Sequence, residues 1–335
     1  MSEGYIGDPV KRRGQLLSVC MIVKNEADKL PLILGDIRGV ADEIIVVDTG
    51  STDGTREIAR SAGARVFEFP WCDDFSAARN YSLDQATGDM VLWLDADDRI
   101  SPEAREALKS QKSRLERKIY LCLVKNTYGS AFLQIRIFPN DQRLRFKGRV
   151  HEAIFDMHGY EQVLFDSLSA ALHQAFVITH TGYEHSEVRQ AKLLRNLDLL
   201  EKSEKNYHVC FYLGKTYDAL GKRAKALKHY IRAIKALEKV NVQPDMLYAS
   251  IVGACKCLLD AGKTKACEAM ARRAIDMRPY DVRGWYYWGK SSSDLEAYAR
   301  GLECRNYLSS MQTHHEWYHV RCLIERNLIK QGVRG

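Results

Sequence analysis

Long apolar runs are what this sequence most plainly lacks. The longest near its start, LLSVCMIV (Leu16–Val23), falls far short of the roughly 20 residues a helix needs to cross a bilayer. No transmembrane segment is therefore expected. Proline is scarce, at seven in 335 residues, and no low-complexity tract interrupts the chain, which excludes collagen-like and largely disordered classes. The nine cysteines are odd in number and scattered, without the regular framework of a disulfide scaffold. The closest pair, Cys255 and Cys257, is separated by one residue, which is not a usual zinc spacing. Buried, reduced thiols in a cytoplasmic protein are the expectation. Met1–Gly14 is polar and Gly-rich, unlike a secretory signal, and agrees with that placement.

What is present is an ordinary globular composition, 46% hydrophobic and 28% charged, in a chain long enough for two cores. The net charge of +7 hides an asymmetry. Up to His185 there are 23 Lys/Arg against 27 Asp/Glu, a balance of −4; the remainder has 27 against 16, a balance of +11. An acidic first part suits a cation site. A basic second part suits an anionic partner, although Lys and Arg scattered on helices usually form a solvated face.

The first part alternates strands and helices. LLSVCMIVK (16–24) and EIIVVD (43–48) are apolar runs without polar alternation, as in a parallel sheet covered on both faces. Helical spacing runs from Lys29 to Val40. TGSTDGT makes a turn in which Thr52 or Asp53 can cap a helix starting near Gly54. ARVFEF is a short strand, FSAARNYSLDQA (75–86) a helix ended by Gly88, and MVLWLD a fourth strand. SPEAREAL follows with Ser101 as cap, Pro102 in the first turn and Glu103 near the positive end. This alternation predicts a parallel sheet with helices on both faces and a ligand edge at the carboxyl ends of its strands. Asp48 and the cluster Asp95–Asp98 both fall on that edge.

CMIVKNEADKLPLIL, IIVVDTGSTDGT, DDFSAARNYSLDQATGD and LWLDADD, in that order and on those elements, resemble the nucleotide-sugar domain of a family-2 glycosyltransferase with a GT-A fold. The resemblance is dense over residues 16–100 and thins afterwards. It implies an α/β GT-A domain that transfers a sugar from a nucleotide diphosphate, UDP above all, with inversion in a single in-line displacement. Asp95 and Asp97, flanking Ala96, would hold Mn²⁺ or Mg²⁺, hard cations that take carboxylate and phosphate oxygens together. An ion there would stabilise the departing diphosphate. Asp48 resembles the family carboxylate that accepts a hydrogen bond from the base, and could equally form the turn before Thr49–Gly50. Asn25 and Glu26 resemble positions lining the nucleotide pocket, or cap a helix. Arg79 would bind the diphosphate, hold Asp95, or form a structural ion pair. The strands IYLCLVKN and FLQIRIFPN supply an acceptor side. In RLRFKGRVHEAIF, Val150–His151–Glu152 resembles a motif of the branch that bears helical repeats. Glu152 is the candidate general base, with His151 and Asp98 as competitors. His180, in a family-like His-x-Gly-Tyr setting, completes metal coordination or serves as a hydrogen-bonded structural residue.

From Ser186 onward β-branched runs give way to Leu, Ala, Lys and Glu. Leu213, Gly214, Tyr217, Ala226, Tyr230 and Ala233 fall at the spacing of a tetratricopeptide repeat, with small residues allowing close helix approach. A looser copy runs through Gly262 to Pro279. Its 41-residue offset from Gly221 suggests an insertion in the loop near Gln243–Pro244. A third copy begins around Gly289 and degenerates, as a capping repeat would. The expected division is thus a catalytic domain over 15–185 and a tetratricopeptide-like domain over 186–335, the latter offering a groove for a peptide, protein or glycan acceptor, or a homodimer contact. The basic balance keeps nucleic acid with modified bases open as an acceptor, and counterion release would make such binding salt-sensitive. Two other classes compete: a scaffold with a decayed sugar domain, against which intact Asp48, Asp95 and Asp97 argue, and a metallopeptidase. The latter rests on His315–Glu316–Trp317–Tyr318–His319, an HExxH pattern followed by only 16 residues and a single carboxylate, Glu325.

Overall fold

The computed structural model describes residues 16–127, 131–156, 166–167, 176–181, 186–240 and 244–304. The HExxH pattern at 315–319, the N-terminal polar segment and Gly182–Tyr183 lie outside them. No described helix is long and apolar enough to cross a membrane.

The first part is built on a nine-stranded sheet in the order β3-β2-β1-β4-β7-β6-β11-β5, with β10 also pairing β6. The strands are β1 (Leu17–Val23), β2 (Glu43–Asp48), β3 (Arg65–Glu68), β4 (Met90–Leu94), β5 (Asp98–Ile100), β6 (Tyr120–Asn126), β7 (Ala131–Pro139), β10 (Asp166–Ser167) and β11 (Val177–His180); β8 (Leu144–Lys147) and β9 (Ala153–Asp156) form a separate hairpin. Strands β1 to β4 are parallel, as their unalternated apolar runs predict, and β4 is buried throughout. The sheet as a whole is mixed. β7 runs antiparallel to both β4 and β6, and β11 is parallel to β6 but antiparallel to β5. An all-parallel sheet is therefore corrected beyond β4. The sequence period reports burial, and burial on both faces does not depend on strand direction.

Helices α1 (Leu30–Asp36), α2 (Thr55–Ser61), α3 (Phe75–Gln85) and α4 (Pro102–Gln111) connect these strands. Asp74 caps α3 by accepting from the Ala77 amide, and Ser101 caps α4 through the Ala104 amide. α1 stops short of the helix expected to Val40, because the chain turns at Gly39 with φ of 76°. Gly88 is required for a different reason than ending a helix. A Cβ there would lie 2.6 Å from Ser18 Oγ and 2.8 Å from the Leu16 carbonyl, so only glycine lets the chain pass beside β1 into β4.

The second part is helical: α5 (Ser186–Lys202), then α6 (Tyr207–Ala219) with α7 (Arg223–Val240), α8 (Pro244–Asp260) with α9 (Thr264–Met277), and α10 (Val282–Ser292) with α11 (Leu295–Glu303). Gly221 and Gly262 take left-handed conformations just past α6 and α8, the C′ positions of two helices. The Tyr230 ring of α7 packs against two glycines at once. A Cβ on Gly214 of α6 or Gly253 of α8 would approach its ring atoms to 2.6 and 2.5 Å. These contacts are the close approach read from the repeat spacing. The loop residues 241–243, where an insertion is expected, lie outside the described residues. Ala226, Tyr230, Ala233, Ile234 and Leu237 keep the apolar face of α7 buried along its 18 residues, and α8 begins at Pro244. The helices on either side of that loop are thus long, and each turn of α7 buries a further apolar residue.

The sheet divides its core between two faces, one gathered on Met21, Leu92 and Ile178 and the other on Ile45, Trp93 and Phe146. The helical core includes Leu197, Leu199, Tyr230 and Ile251 and takes in Val150, with Trp71 and Phe75 packed against it. The two parts therefore meet through a continuous apolar contact, beside the loop that carries His151 and Glu152.

Candidate active site

Strands β1, β2 and β4 end on the same edge, with Val23 opposite Asp48 and Met21 opposite Leu94, so their following loops gather there. Asn25 adopts φ of 54°, a left-handed conformation that asparagine tolerates better than most residues. Its side-chain carbonyl accepts from the Thr52 amide at 2.8 Å, while its own amide donates to Ser51 Oγ. The Glu26 amide donates to Thr55 Oγ1, and Asp53 accepts from the amides of Thr55 and Ala27. Asp53 thus supports the start of α2, while Thr52 is tied to Asn25. Asp48 is buried and accepts from the amides of Gly50 and Ser51. Its turn-forming role is what the fold displays. Burial raises the Glu26 carboxyl above its ordinary range, the Lys29 ammonium opposing the rise, and the charges of Asp97 and Lys192 reach it as well.

Beyond β4 the chain turns through Asp95–Asp98 and enters β5. β5 pairs with β11 so that His180 lies opposite Asp98. Asp95, Asp97, Asp98 and His180 each offer one ligand atom within 4.8 Å of the others. They are not equivalent. Asp98 is fully buried, and its carboxylate accepts from the Asp95 amide (2.9 Å) and Arg136 Nη1 (2.8 Å) and meets His180 Nδ1 (3.0 Å). It is committed to holding its neighbours. Asp97 is anchored at its carbonyl by the amide and hydroxyl of Thr181, and its carboxylate stands 3.4 Å from His180 Nδ1. Burial acts against a charged His180 ring, but the Asp98 hydrogen bond and the charges of Asp97, Asp98 and Asp95 outweigh it, so its pKa lies above the ordinary histidine value. Asp95 is half-buried. Burial would raise its pKa, yet Arg79 and Arg136 together hold it well below the usual carboxylate range.

Arg79, on α3, joins two of the expected site residues. Its Nη2 donates to Asp95 Oδ1 at 2.8 Å and its Nε to Glu152 Oε1 at 2.5 Å. Glu152 follows His151, which carries the strained φ of 56° and stacks on Tyr212 of α6 with ring centroids 4.0 Å apart. Burial pushes the His151 imidazole down to about 3, with Lys215, His208 and Arg195 adding to the effect, so it is neutral and enclosed at neutral pH.

Two cations here were not foreseen. Arg136, on β7, is buried with its guanidinium 3.8 Å from the Trp93 ring centroid, and Arg79 lies over the same ring at 4.2 Å. A charge set among isoleucines in FLQIRIFPN was the available signal, since a charged residue inside a buried strand needs a partner. Lys192, on α5, reaches Asp97 Oδ2 at 3.4 Å. Nothing in the repeat spacing marked it. Asp95, Asp97, Asp98, His180, Arg79 and Glu152 are thus one connected group, and Glu26 borders it. Asn25 and Asp48 organise the neighbouring β1–β2 edge instead.

The chain is similar to known proteins over part of its length. Residues 18–168 match the family model described as glycosyl transferase family 2. A TPR repeat-containing protein of Synechococcus elongatus is 37% identical over 177 residues, 52% of this chain and 44% of its own. The SPbeta prophage-derived glycosyltransferase SunS of Bacillus subtilis is 27% identical over 244 residues, 69% of this chain and 56% of its own, a span longer than the family domain. The chain spans about half the length of these curated relatives. Among solved structures, glucosyl-3-phosphoglycerate synthase from Mycobacterium tuberculosis, in complex with Mn²⁺, uridine diphosphate and glucosyl-3-phosphoglycerate, is 29% identical, covering 34% of this chain and 44% of its own with a TM-score of 0.28. The sheet with its acidic edge and the family match fall on the same part of the chain: residues 18–168 resemble a family-2 glycosyltransferase domain, and tetratricopeptide-like helix pairs follow it.

Proposed function

We propose that this protein transfers a sugar from a nucleotide-diphosphate donor, UDP-linked in the first instance, to a peptide, protein or glycan acceptor placed by the helix pairs, with a catalytic part over 15–185 and a helical part over 186–335. The observation that carries this reading is the convergence of Asp95, Asp97 and His180 at the β4 edge, held from behind by Asp98. The donor set of carboxylate oxygens and one imidazole fits Mn²⁺ or Mg²⁺. Such an ion would neutralise charge on the departing diphosphate. The Nδ1 contact between His180 and Asp98 favours the tautomer with its lone pair on Nε2, the orientation a carboxylate imposes on a ligating histidine. Asp48, Asn25 and Glu26 form the nucleoside end. The charge of Asp97 acts on the Glu26 carboxylate, and a base contact by Asp48 would add to the turn hydrogen bonds it already accepts.

Of the three candidate bases, Asp98 is saturated and buried, and His151 is stacked in the interface between the two parts. Glu152 is the remaining candidate to take the acceptor's proton. Arg79 orients it and at the same time fixes Asp95 on the donor side, so the carboxylate serving the acceptor and the carboxylate serving the donor are held by one guanidinium. That two-sided layout supports a single in-line displacement with inversion.

Titration of UDP in the presence of Mn²⁺ tests the donor site. Wild-type protein is expected to bind UDP only with the metal, and Asp97→Asn to weaken UDP binding by about tenfold or more while leaving the circular-dichroism melt unchanged. Equal UDP binding by both proteins, or binding indifferent to EDTA, would refute the assignment.

A further inference from the structure

We infer that Lys192, on the first helix of the helical part, belongs to the donor site, where it binds the diphosphate and competes with the divalent cation for Asp97. The inference rests on the donor-site reading above.

The geometry begins with how α5 is fixed. Lys202 Nζ meets Asp73 Oδ2 at 3.0 Å, and the Arg195 guanidinium lies 5.0 Å from the Phe75 ring centroid. Between them, Leu197, Leu199 and Leu200 share an apolar cluster with Val150, against which Trp71 and Phe75 also pack. The helix is therefore seated on the catalytic part at several points along its length. Lys192 stands two turns before Leu199, which carries its ammonium to the acidic edge 95 residues back along the chain. There it lies 3.4 Å from Asp97 Oδ2, with the Glu26 carboxylate also within its field.

An ammonium in that place has two consequences. It partly neutralises a cluster of carboxylates that would otherwise repel one another, so it opposes a dication entering through Asp97. Once a dication is held there, like-charge repulsion turns the ammonium away. The flexible four-carbon stem of lysine allows that movement, and the donor's diphosphate would then offer it a doubly charged partner at the same edge as Glu26. The same residue therefore weakens binding of metal alone and strengthens binding of the nucleotide. A merely structural ion pair would not change both affinities in opposite directions.

Isothermal titration of the full chain separates these cases, with Lys192→Met keeping the stem and removing the charge. Lys235→Met, at an exposed lysine of α7, serves as a control. Lys192→Met is expected to bind UDP with Mn²⁺ about tenfold or more weakly, and to bind Mn²⁺ without nucleotide about threefold or more tightly. Lys235→Met should match wild type in both titrations. If wild type and Lys192→Met bind UDP equally well, Lys192 has no place in the donor site, although the donor site itself stands. A reduced UDP affinity without tighter Mn²⁺ binding would remove the competition with the metal. If wild type binds Mn²⁺ but no UDP, the donor reading fails and the role of Lys192 with it.

Discussion

Replacing Arg136 with methionine would remove the cation that holds the acidic edge together from beneath. The Arg136 side chain is 3% exposed and Asp98 is fully buried, and Nη1 and Oδ2 are 2.8 Å apart. Taking away one partner of so enclosed a pair leaves a carboxylate with only the Asp95 amide and His180, and such losses cost about 3–5 kcal/mol. The guanidinium also leaves the Trp93 ring, a contact that contributes up to about 2 kcal/mol when desolvated, although the two losses share one side chain and do not add fully. Methionine fills much of the space, so cavity formation contributes little. A cost near 4 kcal/mol would lower the melting temperature of the sheet region by about 8–16 °C. Urea unfolding followed by far-ultraviolet circular dichroism would measure it, in a double-mutant cycle with Asp98→Asn. A coupling energy of at least about 2 kcal/mol is expected for a pair in direct contact. Mn²⁺ affinity should fall as well, by about 10–100-fold, because Asp98 would no longer be fixed against His180. A destabilisation below about 1 kcal/mol, or additive effects in the cycle, would show that Arg136 does not support the edge.

Two further outcomes follow from the same geometry. Glu152→Gln, which keeps an acceptor for Arg79 but removes the basic carboxylate, should slow transfer by about 10²–10⁴ with UDP affinity nearly unchanged. A parallel fall in both would place the base elsewhere. The second outcome concerns His208 on α6, whose pKa burial pushes down from 6.5 to about 4. Its folded state holds the ring neutral while the unfolded chain would protonate it, so stability is full above about pH 6.5 and is lost as pH falls toward 4. Melting curves across that window should decline less steeply for His208→Gln than for wild type. Equal slopes would mean that His208 is not held neutral by the fold.

The legible features were those written in contiguous residues. The apolar runs of β1, β2 and β4, the Ser101 cap, and the Gly214–Tyr230 contact spacing all depend on neighbours within a turn, a strand or one helix pair. Local periodicity fixes those whatever the rest of the chain does. The acidic cluster was legible for the same reason, since Asp95, Asp97 and Asp98 adjoin a buried strand. The part of Asp98 was not legible in the same way: beside the expected metal pair it competed as a general base, until β11 and β7 brought His180 and Arg136 against it from 82 and 38 residues away. Arg79 had three open roles, and the fold gives it a link between Asp95 and Glu152 that no spacing contains.

By itself, then, the sequence determined the strand–helix order, the edge on which carboxylates would gather, and the change to paired helices after residue 185. Only the tertiary structure decided that the sheet is mixed, that Asp98 and Arg136 serve the other carboxylates from behind, and that a lysine of the helical part reaches the acidic edge. The physical reason is that propensity, capping and burial pattern act over a few residues, whereas ion pairs between distant segments exist only after apolar packing has set those segments side by side.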